Sequence, residues 1–283
     1  MHNSIGTALL VTALAAGAVS ASPAQARDED KSILEGDTLT IGLGALERPS
    51  YNGSDDYVLA PIPAIRGRIE GVTINPRQGG VALDVIPDTP DAKIDFALGP
   101  MASVSLNRTG RIKDPVVRAA GKLDTAIEVG ASAGVTVNRV LHGYDWLTVS
   151  VDVKRDVAGA YDGVTWMPSV SYSTPVSKAV LVTAMAYAHH AGDKYARYYY
   201  SVTPAQAAAS GLPEYSAKGG WDKVGVGTLV AWDLSGNLLD GGWSVLGLAS
   251  YSRMLGDGQD TPYTALRGSK SQWMGGLGIA YTF

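Results

Sequence analysis

Two adjacent histidines are the strongest candidates for catalytic chemistry in this chain of 283 residues. His189 and His190 lie where a predicted strand meets a long predicted loop, close to Asp193. An imidazole that is oriented by a carboxylate can activate a serine hydroxyl, which is the chemistry of lipid and peptide hydrolysis. We favour the alternative, in which both imidazoles lie at a solvated strand end. We therefore predict no catalytic residue and no enzymatic activity.

Other reactive groups are scarce. The chain has no cysteine, which excludes a disulfide framework, a zinc ribbon and a thiol nucleophile. The carboxylates of Asp55, Asp56, Asp257 and Asp260 could bind calcium weakly, but solvated acidic loops are the simpler interpretation. A formal net charge of −4 gives no basic face for nucleic acid. We predict no metal, no cofactor and no nucleic-acid partner.

Apolar side chains recur with a period of two over most of the chain, which is typical of β-strands. Between residues 147 and 154, Leu147, Val149, Val151 and Val153 alternate with polar residues. The other face of such strands carries Gly, Ala, Ser, Thr and a few charges of both signs, where a soluble sandwich would carry many Lys and Glu. Strand lengths of roughly 10–12 residues match tilted membrane-spanning strands. The pattern predicts an all-β fold, a closed antiparallel transmembrane β-barrel.

We predict about 12 strands, an even number that places both chain termini in the periplasm. They lie near 38–47, 58–68, 70–75, 79–86, 93–105, 124–137, 145–155, 164–173, 178–189, 221–233, 241–253 and 271–283. The third and fourth are the least secure, so the count lies between about 10 and 12. Loops that follow odd-numbered strands are then external, at 48–57, 106–123, 156–163, 190–220 and 254–270. The connection at 76–78, which follows the third strand, is the exception because it is short.

The longest external loop carries a helix signal. Thr203 is a typical N-cap, Pro204 suits the first helical position and Gly211 is a typical helix end. A short helix is therefore predicted between them. The tyrosine run at 198–200, just before it, is predicted to mark the outer aromatic girdle.

Charged side chains on the predicted inner face are the candidates for lining the lumen. They are Arg66, Arg68, Asp84, Asp95, Glu128, Asp152, Lys154 and Lys223. Mixed charges can select solutes, or they can pair with one another and close the lumen. A barrel of this size is wider than the filled eight-stranded barrels and narrower than the sixteen-stranded porins, so the sequence is compatible with either state.

Both ends of the chain carry features of export and membrane assembly. Residues 1–26 are predicted as a cleaved signal peptide, with an apolar run followed by Ala24-Gln25-Ala26, although no Lys or Arg precedes the run. A retained anchor is the alternative. Residues 27–37 are predicted as a periplasmic tail and 38–283 as the barrel in the outer membrane. Ile279, Tyr281 and Phe283 alternate outward in the last strand. We predict them as an assembly signal, which makes outer-membrane lipid and the barrel-insertion machinery partners.

Several motifs resemble the MipA/OmpV family of outer-membrane proteins. They are IGLG at 41–44, PSYNGSDD at 49–56, PIP at 61–63, YYSVTPAQA at 199–207, SGLP at 210–213 and YTF at 281–283. The chain departs from the family at Ser201, where glycine is expected. The resemblance implies a closed outer-membrane barrel and, for some members, a scaffold that holds an MltA-like murein hydrolase near a murein synthase. Other members are linked to osmotic response or adhesion, and no catalytic residues carry over.

Three functions are therefore compared. The first is a scaffold for peptidoglycan enzymes, the second a small-solute channel or osmoresponsive barrel, and the third a hydrolase carried by the loops. A specific protein interface needs about 800 Å² per partner, whereas the periplasmic face offers only short turns and the tail at 27–37. We rank the scaffold first, the channel second and the hydrolase last.

Overall fold

The computed structural model describes residues 36–89 and 91–283, and the predicted signal peptide lies outside this range. Within it, twelve antiparallel strands form a closed barrel in which each strand pairs with its chain neighbours and β1 pairs with β12. The strands are β1 Thr38–Pro49, β2 Tyr57–Ile69, β3 Val72–Arg77, β4 Gly80–Asp84, β5 Ile94–Ser105, β6 Ala126–Asn138, β7 Trp146–Asp156, β8 Val164–Pro175, β9 Val180–Ala191, β10 Gly220–Asp233, β11 Gly242–Met254 and β12 Ser271–Thr282. This architecture confirms the predicted fold class.

Five short helices lie in the long loops of the described chain. They are α1 Pro115–Ala119, α2 Asp193–Tyr200, α3 Pro204–Ser210, α4 Gly256–Asp260 and α5 Pro262–Ala265. Helix α3 is the helix that the sequence predicts, and Thr203 and Gln206 form its capping box while Gly211 ends it in the left-handed conformation. No helix in the described ranges is long and apolar enough to cross a membrane.

The register of the strands separates two faces. Ile41 lies opposite Tyr281, and Leu43 lies opposite Ile279. Because partners in register point to the same side of a sheet, these apolar side chains share the outer wall, where Leu43 is 62% exposed. An exposed apolar wall is stable only against lipid. The inner face of the same strands carries small residues such as Gly42 and Ala280.

Glycines on the inner face allow close packing. A Cβ on Gly130 would lie 1.9 Å from the carbonyl oxygen of Val153 on the neighbouring strand. A Cβ on Gly225 would lie 2.5 Å from the ring of Tyr187, which covers that position from β9. Larger side chains there would push apart neighbouring strands or the ring, so the small inner face is a packing requirement of the barrel.

Aromatic side chains form clusters on the outer wall at both ends of the barrel. Near the termini, the ring centroid of Tyr281 lies 5.1 Å from that of Trp243 and 4.8 Å from that of Phe283. At the opposite end, Trp166, His190 and Trp221 pack together, as do Tyr251 and Trp273. Such rings suit the interface between lipid and water.

The tyrosine run at 198–200 does not belong to either girdle, and this prediction was wrong. Tyr199 and Tyr200 lie on helix α2 and are only 2% and 1% exposed. The helix turns both side chains into the barrel mouth, where they pack in a protein core. An aromatic run has the same appearance in the sequence whether it faces lipid or a core.

Candidate functional site

The long loops at one end of the barrel fold together into its mouth, and we call them the plug. The plug comprises residues 50–56, 106–125, 157–163, 192–219 and 255–270. These loops lie at the opposite end of the barrel from the start of β1 and the end of β12, which we call the side of the termini. In bacterial outer-membrane barrels that side faces the periplasm, and long loops of this kind are extracellular.

A first buried cluster joins the plug to the barrel wall. Its wall residues are Ala126 on β6, Ala191 on β9 and Met254 on β11, and its plug residues are Tyr161, Tyr195, Ala196, Tyr199, Tyr200 and Ala217. Strands β6 and β11 are five steps apart in the twelve-strand order, nearly opposite each other. The tyrosines of α2 therefore bridge the lumen, with the rings of Tyr195 and Tyr199 4.5 Å apart.

A second buried cluster joins the loops to one another. It contains Tyr51, Ile112, Val117, Ala120, Val202, Leu212 and Tyr263, which come from four different loops. Beside it, the guanidinium of Arg108 lies 4.1 Å from the ring centroid of Tyr263, within the range of a cation–π contact. The plug thus has a core of its own as well as contacts to the wall.

Polar contacts attach the plug to inward-facing carboxylates. The hydroxyl of Tyr200 donates to Asp222, and the hydroxyl of Tyr161 donates to Glu128 at 2.7 Å. Burial, assisted by the charge of Asp222, raises the pKa of Tyr200 well above its ordinary value. The phenol therefore stays protonated and keeps donating. Breaking such a contact would leave a buried carboxylate short of a partner, which is costly.

The structure separates the two histidines that the sequence places together. His189 points inward, and its Nδ1 lies 2.6 Å from a carboxylate oxygen of Asp222. The carboxylate of Asp193 is used elsewhere, because it accepts the N–H of Gly219. His190 points outward and packs against Trp166 and Trp221. Among the described residues, no Ser or Thr hydroxyl is hydrogen-bonded to either imidazole.

Asp222 was missed by the sequence analysis. A register irregularity between Trp221 and Lys223 interrupts the alternation along β10, and it brings the side chain of Asp222 to His189 and Tyr200. Sequence periodicity cannot reveal such a bulge, because the break depends on the neighbouring strand.

The structure places all eight charged candidates on the inward-facing rows of the strands. Glu128 and Lys154 form an ion pair at 2.6 Å, and Asp152 pairs with Arg77 at 3.0 Å. Arg77 was missed, because the sequence predicts a connection at residues 76–78, whereas β3 extends to Arg77. That these charges line a solute pathway stays a prediction.

The remaining candidates have different surroundings. Asp84 accepts the N–H groups of Ile86 and Leu98, and Asp95 accepts a hydrogen bond from Asn138. The ammonium of Lys223 donates to Asn52 in the plug at 3.0 Å. The guanidinium of Arg68 donates to the carbonyl of Gly36 at 3.3 Å. Arg66 is exposed.

No cluster of three or more His, Asp or Glu side chains suited to a metal ion occurs in the part of the chain that the structure describes. The carboxylate of Asp257 is used by the plug itself, since it accepts the N–H of Lys218.

On the side of the termini, the loop at 139–145 is held in one conformation by Asp145. Its carboxylate accepts the N–H groups of Val140 and Leu141 and the hydroxyl of Tyr172. Burial alone would raise the pKa of Asp145, but the hydrogen bonds from Tyr172 and the backbone outweigh it and lower the pKa to about 2. The loop presents Leu141 and Tyr144, which are 77% and 79% exposed.

The closed sheet, the apolar outer wall with its two aromatic girdles and the polar interior define an outer-membrane β-barrel. The family model described as MltA-interacting protein MipA matches residues 41–283, and the chain belongs to this family. This match confirms the resemblance found in the sequence motifs. No curated protein matches the chain significantly.

Similar solved structures include other outer-membrane proteins. An outer membrane channel from Pseudomonas putida F1 is 13% identical, with a TM-score of 0.44, and the match covers 92% of this chain and 100% of that one. The CymD monoaromatic hydrocarbon channel is 10% identical over 87% of this chain and 88% of its own, with a TM-score of 0.37. The translocator domain of the autotransporter NalP from Neisseria meningitidis is 13% identical over 88% of each chain, also with a TM-score of 0.37.

Proposed function

We propose that this barrel binds a periplasmic murein hydrolase of the MltA kind and holds it at the outer membrane, and that it is not a constitutively open channel. The observation that carries this proposal is the plug. Two buried clusters and several buried polar contacts fill the mouth with packed side chains. A protein whose lumen is closed in its resting state acts on its surroundings through its surfaces.

The family supports the nature of the partner, since its description is that of an MltA-interacting protein. A murein hydrolase works in the periplasm, so its binding surface belongs on the side of the termini. A murein synthase would join the same complex as a second partner.

The periplasmic rim supplies an apolar surface for this contact. Exposed apolar side chains lie in its turns, among them Val85, Ile86, Leu141, Tyr144, Val176, Leu234 and Leu239. A single turn is far smaller than the interface of about 800 Å² per partner that a stable complex needs. A partner that contacts several of these turns at once would bury a larger area than a single turn offers. The rigid loop at 139–145 would be the centre, because a preordered loop loses little entropy on binding.

The test is a binding measurement between the purified barrel in detergent and a purified MltA-type hydrolase. The double variant Leu141→Ser, Tyr144→Ser is expected to bind at least about tenfold more weakly than the unaltered chain, equivalent to about 1.4 kcal/mol. Leu266→Ser is the matched control, because Leu266 is 60% exposed but lies in the plug. It should bind as the unaltered chain does.

Two results would count against the proposal. If the unaltered barrel does not bind the hydrolase, the function is wrong. If the double variant and the control bind equally well, the surface is wrong.

A solute channel is the second candidate, and the exposed inner wall favours it. Ile62, which lies opposite Gly44 on the inward face, is 39% exposed, so accessible space exists inside the barrel. A channel of this kind would have to move the plug in order to conduct.

A further inference from the structure

The inward-facing carboxylates on the strands are all engaged by other groups. Three of them contact basic side chains: Glu128 contacts Lys154, Asp152 contacts Arg77 and Asp222 contacts His189. Four others accept hydrogen bonds from nearby backbone or amide N–H groups, namely Asp84, Asp95, Asp156 and Asp233. Among the described residues, these contacts leave a further cation on the inward face without a carboxylate hydrogen-bonded to it.

Arg66 is such a cation. It lies on the inward face of β2, three residues before the end of the strand on the side of the termini. Its side chain is exposed, and it has no hydrogen-bond or ion-pair partner within residues 36–89 and 91–283. The surrounding wall leaves room for a ligand beside Arg66, because the next inward-facing register pair consists of the small residues Gly42 and Ala64.

A pair of hydroxyl groups lies on the inward face at the same level of the barrel as Arg66. Thr40 is the register partner of Arg66, and its Oγ1 lies 2.8 Å from the Oγ1 of Thr282 on the other neighbouring strand. One hydroxyl donates to the other in this contact, so the hydroxyl that accepts still has its own hydrogen to offer. This level of the barrel thus presents two kinds of donor to the lumen, the planar guanidinium of Arg66 and one free O–H group of the threonine pair.

We propose that Arg66 and the Thr40–Thr282 hydroxyl pair form a binding site for a small oxyanion, a carboxylate or a phosphate, that enters from the periplasm. A guanidinium binds either group with two parallel hydrogen bonds. A charged wall of low dielectric also concentrates counter-ions. Because the plug closes the other end, the ligand enters and leaves on the side of the termini. This site is independent of the hydrolase contact.

The test is a titration of the purified barrel in uncharged detergent at low salt with inorganic phosphate and, separately, with acetate. Ligand-observed NMR line broadening reports binding directly. The unaltered chain is expected to saturate with at least one of the two anions, and the anion that binds more tightly identifies the preferred ligand class. Arg66→Gln should weaken that binding at least about tenfold.

Lys178→Gln is the matched control, because it removes one positive charge from a turn on the same side of the membrane. It should leave the titration unchanged. Thr40→Val keeps every charge and should weaken binding severalfold, which tests the site even if Arg66→Gln assembles poorly. The proposal is overturned if neither anion saturates, or if Arg66→Gln or Thr40→Val binds as tightly as Lys178→Gln.

Discussion

At the residue scale, Asp114 shows how single side chains hold the plug together. Its carboxylate caps α1 by accepting the N–H groups of Val116 and Val117, and it pairs with Arg267 at 2.7 Å across two loops. Burial alone would raise the pKa of Asp114. The hydrogen bonds from Arg267 and from the backbone outweigh that effect, so the pKa lies below its ordinary value of 3.8.

A depressed pKa makes the contribution of Asp114 dependent on pH. Its stabilising effect is complete above the pKa of the unfolded chain, near 3.8, and is lost as the pH falls through the lower pKa of the folded chain. Asp114→Asn keeps the helix cap but removes the charge pair. Above about pH 4 the variant should be cut faster in the loop at 106–125 by an acid protease, and the difference should shrink toward pH 2.

Asp260→Asn is the control for that experiment, since Asp260 is an exposed aspartate in another loop of the plug. It should follow the unaltered chain at each pH. A difference between Asp114→Asn and the unaltered chain that does not change with pH would contradict the charge-pair explanation.

The side of the barrel wall to which each charged side chain points could be predicted from the sequence, whereas the partners of these side chains could not. The sequence predicts Glu128, Asp152 and Lys154 on the inner face, because alternation along a strand fixes the side to which each residue points. Arg77 and Asp222 were missed. The first depends on where a short strand ends and the second on a bulge in β10, and both are set by neighbouring strands.

At the element scale, the two helices of the longest loop also show that features set by tertiary contacts are hard to predict from the sequence. Helix α3 has its signals in the chain itself: a capping box, a proline in the first turn and a left-handed glycine at the end. Helix α2 has no side-chain cap. It is stabilised by the burial of Tyr195, Tyr199 and Tyr200 against other loops and the wall. A helix that depends on tertiary packing leaves little trace in its own sequence.

The last strand carries a second prediction at this scale. The N–H of Phe283 donates to the carbonyl of Leu39 at 2.9 Å, which extends the pairing of β12 with β1 beyond Thr282. Its ring packs against Tyr281 on the outer wall. Deletion of Phe283 should reduce the amount of folded barrel in the membrane severalfold, because it removes a closing contact and the aromatic end of the strand that assembly is expected to require.

Heat-modifiable gel mobility of the membrane fraction measures that loss. Trp243→Ala is the matched control, since Trp243 belongs to the same aromatic girdle but lies on β11. Its folded fraction should stay close to that of the unaltered chain. Equal losses in the two variants would mean that the girdle as a whole, and not the end of the chain, is what matters.

At the scale of the whole molecule, the plug decides between a closed barrel and a channel. The closed barrel of twelve strands could be predicted from the sequence. Apolar residues alternate along each strand, and the number of predicted strands is even. The plug was not, because its core joins residues from loops that are far apart in the chain, such as Tyr51, Val117 and Tyr263. The closed state of the barrel therefore depends on whether these loops block its mouth.

Conductance across a planar lipid bilayer tests this claim most directly. In one variant a short Gly-Ser turn replaces residues 193–218, which the register permits because Ala191 and Gly220 are paired. In the control the same turn replaces only 204–210, the exposed helix α3, which has no buried residues. The unaltered chain and the control should show no stepwise conductance, and the larger deletion should show discrete steps. Steps of similar size in the unaltered chain would contradict the account.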